Sequence, residues 1–355
     1  MRIWSICSRA KTLHRRLETG LQRGLFLLLL LTTRATARGQ DFTYIETNGT
    51  IMITHYTGPG GYVTIPATIN GLPVICIGLQ AFAFNQKLTG VTIPDSVTSI
   101  GAEAFNQCLD LTNVTFGSGI TNIDGGAFGH DPYLIGVTIP NSVASIGPHA
   151  FEFCSSLTNV TFGGGVTSIG DYAFVECSSL MDITIPNSVT RIGSYAFSAE
   201  WSLTNATVGS GVTSIGYGAF DTFALSSNLT SLHFEGNAPR VDYNFLGVLG
   251  DKATIYYLPG TAGWGSTFAG VPTAVWTLAY PLILSSNPSF GVRTKQFGFT
   301  VAWATNLNVV VEAAGDLANP IWSPVKTNIL KSGWFYFSDS QWTNYARRFY
   351  RIRSP

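Results

Sequence analysis

Charged side chains are scarce in this sequence. Asp, Glu, Lys and Arg make up 11% of its 355 residues, whereas roughly a quarter is usual in soluble domains. Thr, Ser, Asn and Gly must therefore provide most of the polar surface. Residues 81–228, which we call the acidic arm, hold 11 acids and two bases, and residues 276–355 hold eight bases and three acids. Nucleic-acid binding needs a basic surface, so the arm indicates that nucleic acid is not the partner.

Residue patterns that support catalysis or metal binding are also missing. The five histidines form no HExxH motif, and no serine has Gly at both −2 and +2, so zincin and nucleophile-elbow chemistry is not indicated. Gly117-Ser118-Gly119 and Gly209-Ser210-Gly211 resemble part of a phosphate loop, but they precede predicted strands rather than helices. The acids of the arm are scattered singly. The sequence therefore predicts a protein that is not an enzyme and uses no cofactor or metal.

Long apolar runs are lacking. The longest, Leu25–Leu31, is too short to cross a bilayer. Ala35-Thr36-Ala37 follows it as a small-x-small pattern, and six bases precede it: Arg2, Arg9, Lys11, Arg15, Arg16 and Arg23. This arrangement predicts a signal peptide over residues 1–37 and hence a secreted or cell-surface protein without a membrane span in the mature chain. Arg15-Arg16 also admits twin-arginine export, although the residues after it match that motif poorly.

What the sequence does contain is a repeat of 23 residues. One turn runs from Leu111 to Tyr133, and an Ala-Phe pair recurs at this interval, beginning at Ala81, Ala104, Ala127, Ala150, Ala173, Ala196 and Ala219. Such a period indicates a solenoid, in which each repeat buries its apolar side only by stacking on its neighbours. Strand alternation predicts that Val114 and Phe116 point inward and Thr115 outward. The Ala-Phe pair is predicted to lie on a short helical turn, with the Phe closing the end of the coil.

Proline and glycine alternate directly after the predicted strand. The positions are Pro94, Gly117, Pro140, Gly163, Pro186 and Gly209, which gives a second period of 46 residues. Both residue types end a strand, proline because it lacks an N–H and glycine because it favours a turn. We interpret the longer period as the duplication of a two-repeat block.

Two stretches of the repeat resemble a known family. IPDSVTSIGAEAFNQC (Ile93–Cys108) and IPNSVTRIGSYAF (Ile185–Phe197) are similar to the BspA-type leucine-rich repeats of bacterial surface and secreted proteins. The resemblance covers about Val63 to Phe234. It implies a parallel β-solenoid that mediates adhesion or protein binding without catalysis, and it implies no fixed ligand.

The segments around the repeats predict the remaining organisation. Residues 38–62 and 236–276 are predicted as N- and C-terminal caps of the repeats at 63–235, because the ends of a solenoid expose apolar surface. Short strand-like segments separated by turns predict a small antiparallel β-sandwich-like module over 282–355, and its end resembles carboxy-terminal β-modules of secreted bacterial proteins. The predicted fold class is therefore mainly β, with a leucine-rich-repeat parallel β-solenoid of 23-residue coils followed by this module.

Three of the cysteines share one repeat position. Cys154 and Cys177 lie on adjacent coils, whereas Cys108 is two coils from Cys154. On adjacent coils, the Cα atoms of Cys154 and Cys177 would be close enough for a disulfide. The sequence therefore predicts either this disulfide or a row of buried thiols. Asn85, Asp131 and Glu200 fill the same position elsewhere.

Two features are candidates for binding. The first is the exposed strand face, which carries Thr92, Thr115, Thr138, Thr161, Thr184 and Thr207, with Asn113, Asn159 and Asp182 at variable positions beside them. Thr suits the solvent side of a sheet whatever its function, so this face is either structural or a surface for a protein or glycan partner. The second is the set Trp303, Trp322, Trp334 and Trp342, which is either sandwich core or a platform for sugar rings.

Overall fold

Short β-strands joined by turns, with one 3-10 helix at Trp342–Asn344, form the regular secondary structure of the described part of the chain. The computed structural model describes residues 41–221, 228–242, 244–246, 253–278, 280–284, 290–293, 296–303 and 306–354, so the predicted signal peptide lies outside it. The strands before the regular repeats are β1 (Phe42–Thr47), β2 (Thr50–Tyr56), β3 (Gly61–Thr64), β4 (Thr68–Ile69) and β5 (Leu72–Ile77).

The strands of the repeats and of the segment that follows them alternate in length along the chain. They are β6 (Leu88–Thr92), β7 (Ser99–Ile100), β8 (Asn113–Thr115), β9 (Asn122–Ile123), β10 (Gly136–Thr138), β11 (Ser145–Ile146), β12 (Asn159–Thr161), β13 (Ser168–Ile169), β14 (Asp182–Ile185), β15 (Arg191–Ile192), β16 (Asn205–Val208), β17 (Ser214–Ile215), β18 (Ser231–Phe234), β19 (Arg240–Val241), β20 (Thr254–Tyr257), β21 (Thr267–Phe268) and β22 (Val271–Val275).

Each coil contributes one strand to each of two parallel faces. The front face has the order β3-β6-β8-β10-β12 and continues as a second sheet, β14-β16-β18-β20-β22. The back face is one sheet that runs from the antiparallel hairpin β1-β2 through β5 and the odd-numbered strands to β19. Pairing joins equivalent residues of successive coils, such as Val137 with Val160 and Ile146 with Ile169. The predicted parallel β-solenoid with 23-residue coils is therefore confirmed.

The phenylalanines of the Ala-Phe pairs form a continuous stack along the core. From Phe82 to Phe220 all seven rings are buried, and neighbouring ring centroids lie 4.7–5.5 Å apart. Tyr56 of the β1-β2 hairpin stacks on Phe82 at 5.0 Å and so covers the first ring. Each Phe thus packs on the coils before and after it as well as within its own coil.

The turn that carries Ala-Phe is not helical, so that part of the prediction was wrong. Glu103 and Gln107 have φ of 53° and 57°, and such left-handed residues interrupt a right-handed helix. The N–H of Phe105 donates to the carbonyl of Ala127 in the next coil at 2.8 Å. A helix would direct that N–H to the carbonyl four residues earlier in the same coil, whereas here the N–H groups of Glu103, Phe105 and Gln107 all bond carbonyls of the next coil.

The alternation of proline and glycine has a steric cause. A Cβ on Gly163 would lie 2.5 Å from the carbonyl carbon of Pro140 in the preceding coil, so only glycine fits. The Oδ1 of Asn141, which follows that proline, accepts the N–H of Gly164 at 2.8 Å. Equivalent contacts join Pro94 to Gly117 and Pro186 to Gly209. The 46-residue period is therefore a structural unit in which a Pro turn packs on a Gly turn.

The shared cysteine position is a row of thiols. Cys154 and Cys177 are free and buried, and their Sγ atoms donate to the carbonyls of Phe128 and Phe151 at 3.1 and 3.2 Å. Burial raises the pKa of both thiols well above the usual value. Their low nucleophilicity follows, because the thiolate is the reactive form.

Beyond the solenoid lie two antiparallel sheets. Their strands are β23 (Leu282–Leu284), β24 (Gly291–Arg293), β25 (Gln296–Ala302), β26 (Asn308–Ala314), β27 (Ser323–Ile329), β28 (Trp334–Asp339) and β29 (Phe349–Arg353). β25 pairs with β23, β24 and β28 in one sheet, and β26 lies between β27 and β29 in the other. Apolar residues of both sheets form one core, including Phe299, Val311 and Phe337. The predicted antiparallel C-terminal structure is thus present.

Three bases of this C-terminal region are paired with acids. The Nε atoms of Arg351 and Arg353 donate to Glu312 at 2.7 and 2.8 Å, and these bonds lower the pKa of that carboxyl. Arg348 and Tyr350 bond Asp339 at 2.6 and 2.9 Å. These contacts hold β29 and the residue before it against β26 and β28.

Candidate binding surfaces

The six predicted threonines lie in a row on the front face. Strand pairing places Thr92 beside Thr115, Thr138 beside Thr161 and Thr184 beside Thr207. The four central residues are exposed, whereas Thr92 and Thr207 are half-buried. The Thr92 hydroxyl also hydrogen-bonds the Tyr62 hydroxyl at 2.8 Å. We call this set the threonine row.

The predicted variable positions form a second row beside the first, which we call the amide row. It contains Asn113, Gly136 and Asn159 in one sheet and Asp182, Asn205 and Ser231 in the other. Asn113 and Asn159 are exposed and separated by Gly136, which leaves a gap between them. Asn205 donates its Nδ2 to Asp182 at 3.1 Å and accepts a bond from Ser231. The second half of the amide row is thus a connected polar network, whereas the first half presents separate amides.

Aromatic rings end the threonine row. His233 pairs with Thr207, and Tyr256 pairs with His233. The His233 ring lies 4.9 Å from that of Tyr256 and 4.5 Å from that of Trp276, measured between centroids. Burial lowers the pKa of His233, so the ring is neutral at pH 7. Sequence analysis missed this group because insertions shift these residues out of the 23-residue register.

A groove of about 540 Å³ runs along the turn edge of the solenoid, next to the Ala-Phe turns. Two rows of residues line it, each with one residue from each of five successive coils. The first row is Gln107, His130, Phe153, Glu176 and Ala199, and the second is Leu109, Pro132, Ser155, Ser178 and Trp201. Of their rings, Phe153 is 38% exposed and Trp201 54% exposed. The groove therefore combines exposed apolar rings with one acid.

The first row of the groove has an unusual backbone. All five residues have left-handed φ values between 57° and 60°, which cost a non-glycine residue roughly 1 kcal/mol each. Left-handed residues also recur four positions earlier in each coil. Two of these are glycines, Gly126 and Gly218, which avoid the cost. Phe153 and Glu176 therefore occupy left-handed positions that glycine would adopt with less strain.

Sequence analysis missed this groove. Its residues occupy positions that vary between repeats, and the repeat template treats such positions as unspecified. The available signal was Phe153, an apolar residue two positions after the buried Phe151, at a position that varies between repeats. Neither its left-handed backbone nor its neighbours across coils can be read from the repeat pattern.

Two acids, Asp131 and Glu200, are buried at the repeat position that the cysteines share. In the sequence, each lies directly between a residue of the first groove row and a residue of the second. Asp131 accepts the N–H of Cys108 at 2.8 Å, and Glu200 accepts that of Cys177 at 3.0 Å. The second carboxyl oxygen of each has no hydrogen-bond partner. Burial raises the pKa of both carboxyls well above the usual value. Both side chains are therefore held in the neutral form in the folded chain far above the pH at which an exposed acid ionises.

Replacement of Asp131 by asparagine is expected to stabilise the chain at pH 7 by about 2 kcal/mol. Asparagine keeps the acceptor for Cys108 and cannot ionise, and Asn85 already occupies the equivalent position. Because the folded-state pKa of Asp131 is raised, unfolding releases a proton above the unfolded pKa of about 4, so native stability falls as the pH rises. Urea unfolding at pH 4, 5.5 and 7 should show an advantage that grows with pH. Asp110→Asn, at an exposed acid, is the control, and an equal gain in both variants would contradict the expectation.

The four predicted tryptophans contact different partners. Trp303 packs against the core of the C-terminal sheets, and Trp322 lies under the guanidinium of Arg351 at 4.5 Å. Trp334 is 41% exposed and lies beside Gly260 at the end of the solenoid. Trp342 is half-buried and lies near Phe297, with 6.4 Å between the ring centroids. Trp334 is thus the tryptophan of this set with the largest free ring surface.

Within the described ranges, no three His, Cys, Asp or Glu side chains are grouped so that they hold a metal ion. Among the residues that the structure describes, no helix is long and apolar enough to span a bilayer.

Comparison with known proteins identifies the repeats. The family model described as BspA type leucine rich repeat region matches residues 75–162 and 127–246, in six copies. A search of curated proteins found no match.

Several solved structures are similar to this chain. A leucine-rich repeat protein of T. pallidum is 27% identical, with 66% of this chain and 90% of that chain covered and a TM-score of 0.43. A leucine-rich cell surface protein of Faecalibacterium prausnitzii is 29% identical, with coverage of 57% and 70% and a TM-score of 0.42. A leucine-rich repeat protein of Bacteroides capillosus is 34% identical, with coverage of 36% and 98% and a TM-score of 0.33.

The family match and the coil geometry agree. The matched residues contain the stacked Ala-Phe turns and the paired strands of both faces. The chain is therefore a member of the BspA-type leucine-rich repeat proteins, with its repeats matched over residues 75–246.

Proposed function

We propose that this chain is a non-catalytic binding protein, exported by the signal pattern at residues 1–37, that mediates adhesion or protein–protein interaction through the exposed faces of its solenoid. The observation that carries the proposal is the front face, where strand pairing aligns the threonine row and the amide row. We further propose that residues 38–62 and 236–276 act as caps and that residues 282–355 form a separate module.

The front face suits a macromolecular partner better than a small substrate. Its threonine hydroxyls recur once per coil, at about 4.8 Å, the spacing of adjacent strands, along an extended row. Short polar side chains lose little rotamer entropy when a partner orders them. Membership of a leucine-rich-repeat family supports protein binding as the general role.

Thr138→Lys is expected to weaken binding of a protein partner by at least about tenfold, because a long charged side chain prevents close approach at the centre of the face. The full chain is applied to arrays of purified extracellular and cell-surface proteins and of glycans. Ala144→Lys is the matched control, since it adds the same charge at an exposed position of the same coil just before β11. Equal binding by both variants would contradict the role of the front face.

A carbohydrate-binding role is the second candidate, and the exposed ring of Trp334 favours it. Tryptophan rings present a flat apolar surface beside a polar N–H, which suits a sugar ring. On the same glycan array, Trp334→Ala separates the two roles. Glycan binding that is lost in this variant and kept in Thr138→Lys would support the second role and oppose the first.

A further inference from the structure

We propose that the groove on the turn edge binds an extended basic peptide segment of a partner protein, with a Lys or Arg side chain of that peptide on Glu176. The proposal goes beyond the front-face function, because the groove is formed by the turns and not by the strands of either face. Its occupant follows from the charge, the apolar rings and the length of the groove.

The charge of the groove favours a cation. Glu176 is its acidic residue, and none of the residues that line it is Lys or Arg. The surrounding acidic arm carries 11 acids against two bases, and nine of these acids remain when the buried, neutral Asp131 and Glu200 are left out. A basic segment is attracted by this field and an acidic one is repelled.

The apolar residues of the groove flank this acid. Phe153 lies in the coil before Glu176, and Trp201 lies in the coil after it. A Lys or Arg on Glu176 would therefore have an exposed aromatic ring on either side, which favours a cation. Leu109, which is also exposed, provides an apolar contact at the opposite end of the groove. The pattern thus suits a peptide with a base near one end and an apolar side chain near the other.

The length of the groove suits an extended chain. Five coils at about 4.8 Å span about 19 Å from the first to the fifth. An extended peptide covers that distance in about six residues at about 3.3 Å each.

The test uses an array of seven-residue synthetic peptides and the full chain. Each peptide carries one or two Lys or Arg and two apolar residues, and a matched peptide carries Glu in place of each base. We expect the basic peptides to bind and the Glu peptides not to bind, with affinity that falls as salt rises. For the strongest binder, Glu176→Gln and Trp201→Ala should each weaken binding about tenfold or more.

A matched variant gives the control. Glu103→Gln removes the same charge from an exposed left-handed position with φ of 53°, outside the groove, and should leave peptide affinity unchanged. Thr138→Lys should also leave it unchanged, which separates this proposal from the front-face function. Binding of basic and Glu peptides alike, loss of affinity in Glu103→Gln equal to that in Glu176→Gln, or binding of glycans alone would overturn the proposal.

Discussion

Phe151→Ala is expected to lower the free energy of unfolding by about 3–5 kcal/mol, the range for removing a buried aromatic ring. Phe151 is fully buried, and its ring lies 5.3 Å from Phe128 and 5.2 Å from Phe174 between centroids. The coils cannot close the resulting cavity, because the N–H of Phe151 is bonded to the carbonyl of Ala173 at 2.8 Å. Urea unfolding followed by circular dichroism measures the loss.

The position of the ring, and not its size alone, should decide this effect. Phe153→Ala is the control, since it removes the same ring from the same coil at a site that is 38% exposed. Its loss should stay below about 1.5 kcal/mol, because an exposed ring buries less apolar area and leaves no closed cavity. In a solenoid each coil depends on its neighbours, so Phe151→Ala should also broaden the unfolding transition. Similar losses for the two variants would show that the ring stack does not hold the coils together.

Gly165→Ala is expected to destabilise the chain by about 3 kcal/mol, at the upper end of the range for overpacking. A Cβ at this position would overlap the carbonyl oxygen of Asn141 in the preceding coil. The clash is with backbone, and the backbone is held by the bond from Gly164 N–H to Asn141 Oδ1 at 2.8 Å. The coils must therefore separate locally. Thermal and urea unfolding at pH 7 measure the change.

The adjacent glycine provides the control. Gly164→Ala adds the same methyl group one residue earlier, where the nearest atom, Oδ1 of Asn141, is 4.0 Å away. It should be neutral or slightly stabilising, because alanine reduces the entropy of the unfolded chain. A loss in Gly164→Ala as large as that in Gly165→Ala would mean that turn flexibility, and not contact between coils, explains the glycines.

Much of the fold could be predicted from the sequence because the same residue pattern recurs in every copy of the repeat. A helix or strand assignment that is ambiguous in one copy is decided by the others. Seven copies of Ala-Phe and of the strand pattern agree, so the parallel coils and the outward Thr115 could be predicted. The helical turn could not be judged in this way. The conformation of this turn depends on which carbonyl accepts the N–H of Phe105. That acceptor is the carbonyl of Ala127, 22 residues later in the sequence.

The candidate surfaces were only partly predictable. The threonine row follows directly from alternation along each strand, since Thr138 and Thr161 must share one side of the sheet. Its aromatic end at His233 lies beyond an insertion, where counting residues no longer gives the register. The groove depends on which variable residues meet across coils, as Glu176 does with Phe153 and Trp201.

By itself the sequence determined that this protein is a stack of 23-residue coils with a buried Phe row and exposed threonines. It did so because burial and strand alternation recur identically in each copy. The tertiary structure alone decided that the Pro and Gly turns interlock, that Asp131 and Glu200 are buried as neutral acids, and that the turn edge carries a groove. Those properties arise from contacts between side chains and backbone of different coils, and the spacing within one coil contains no information about them.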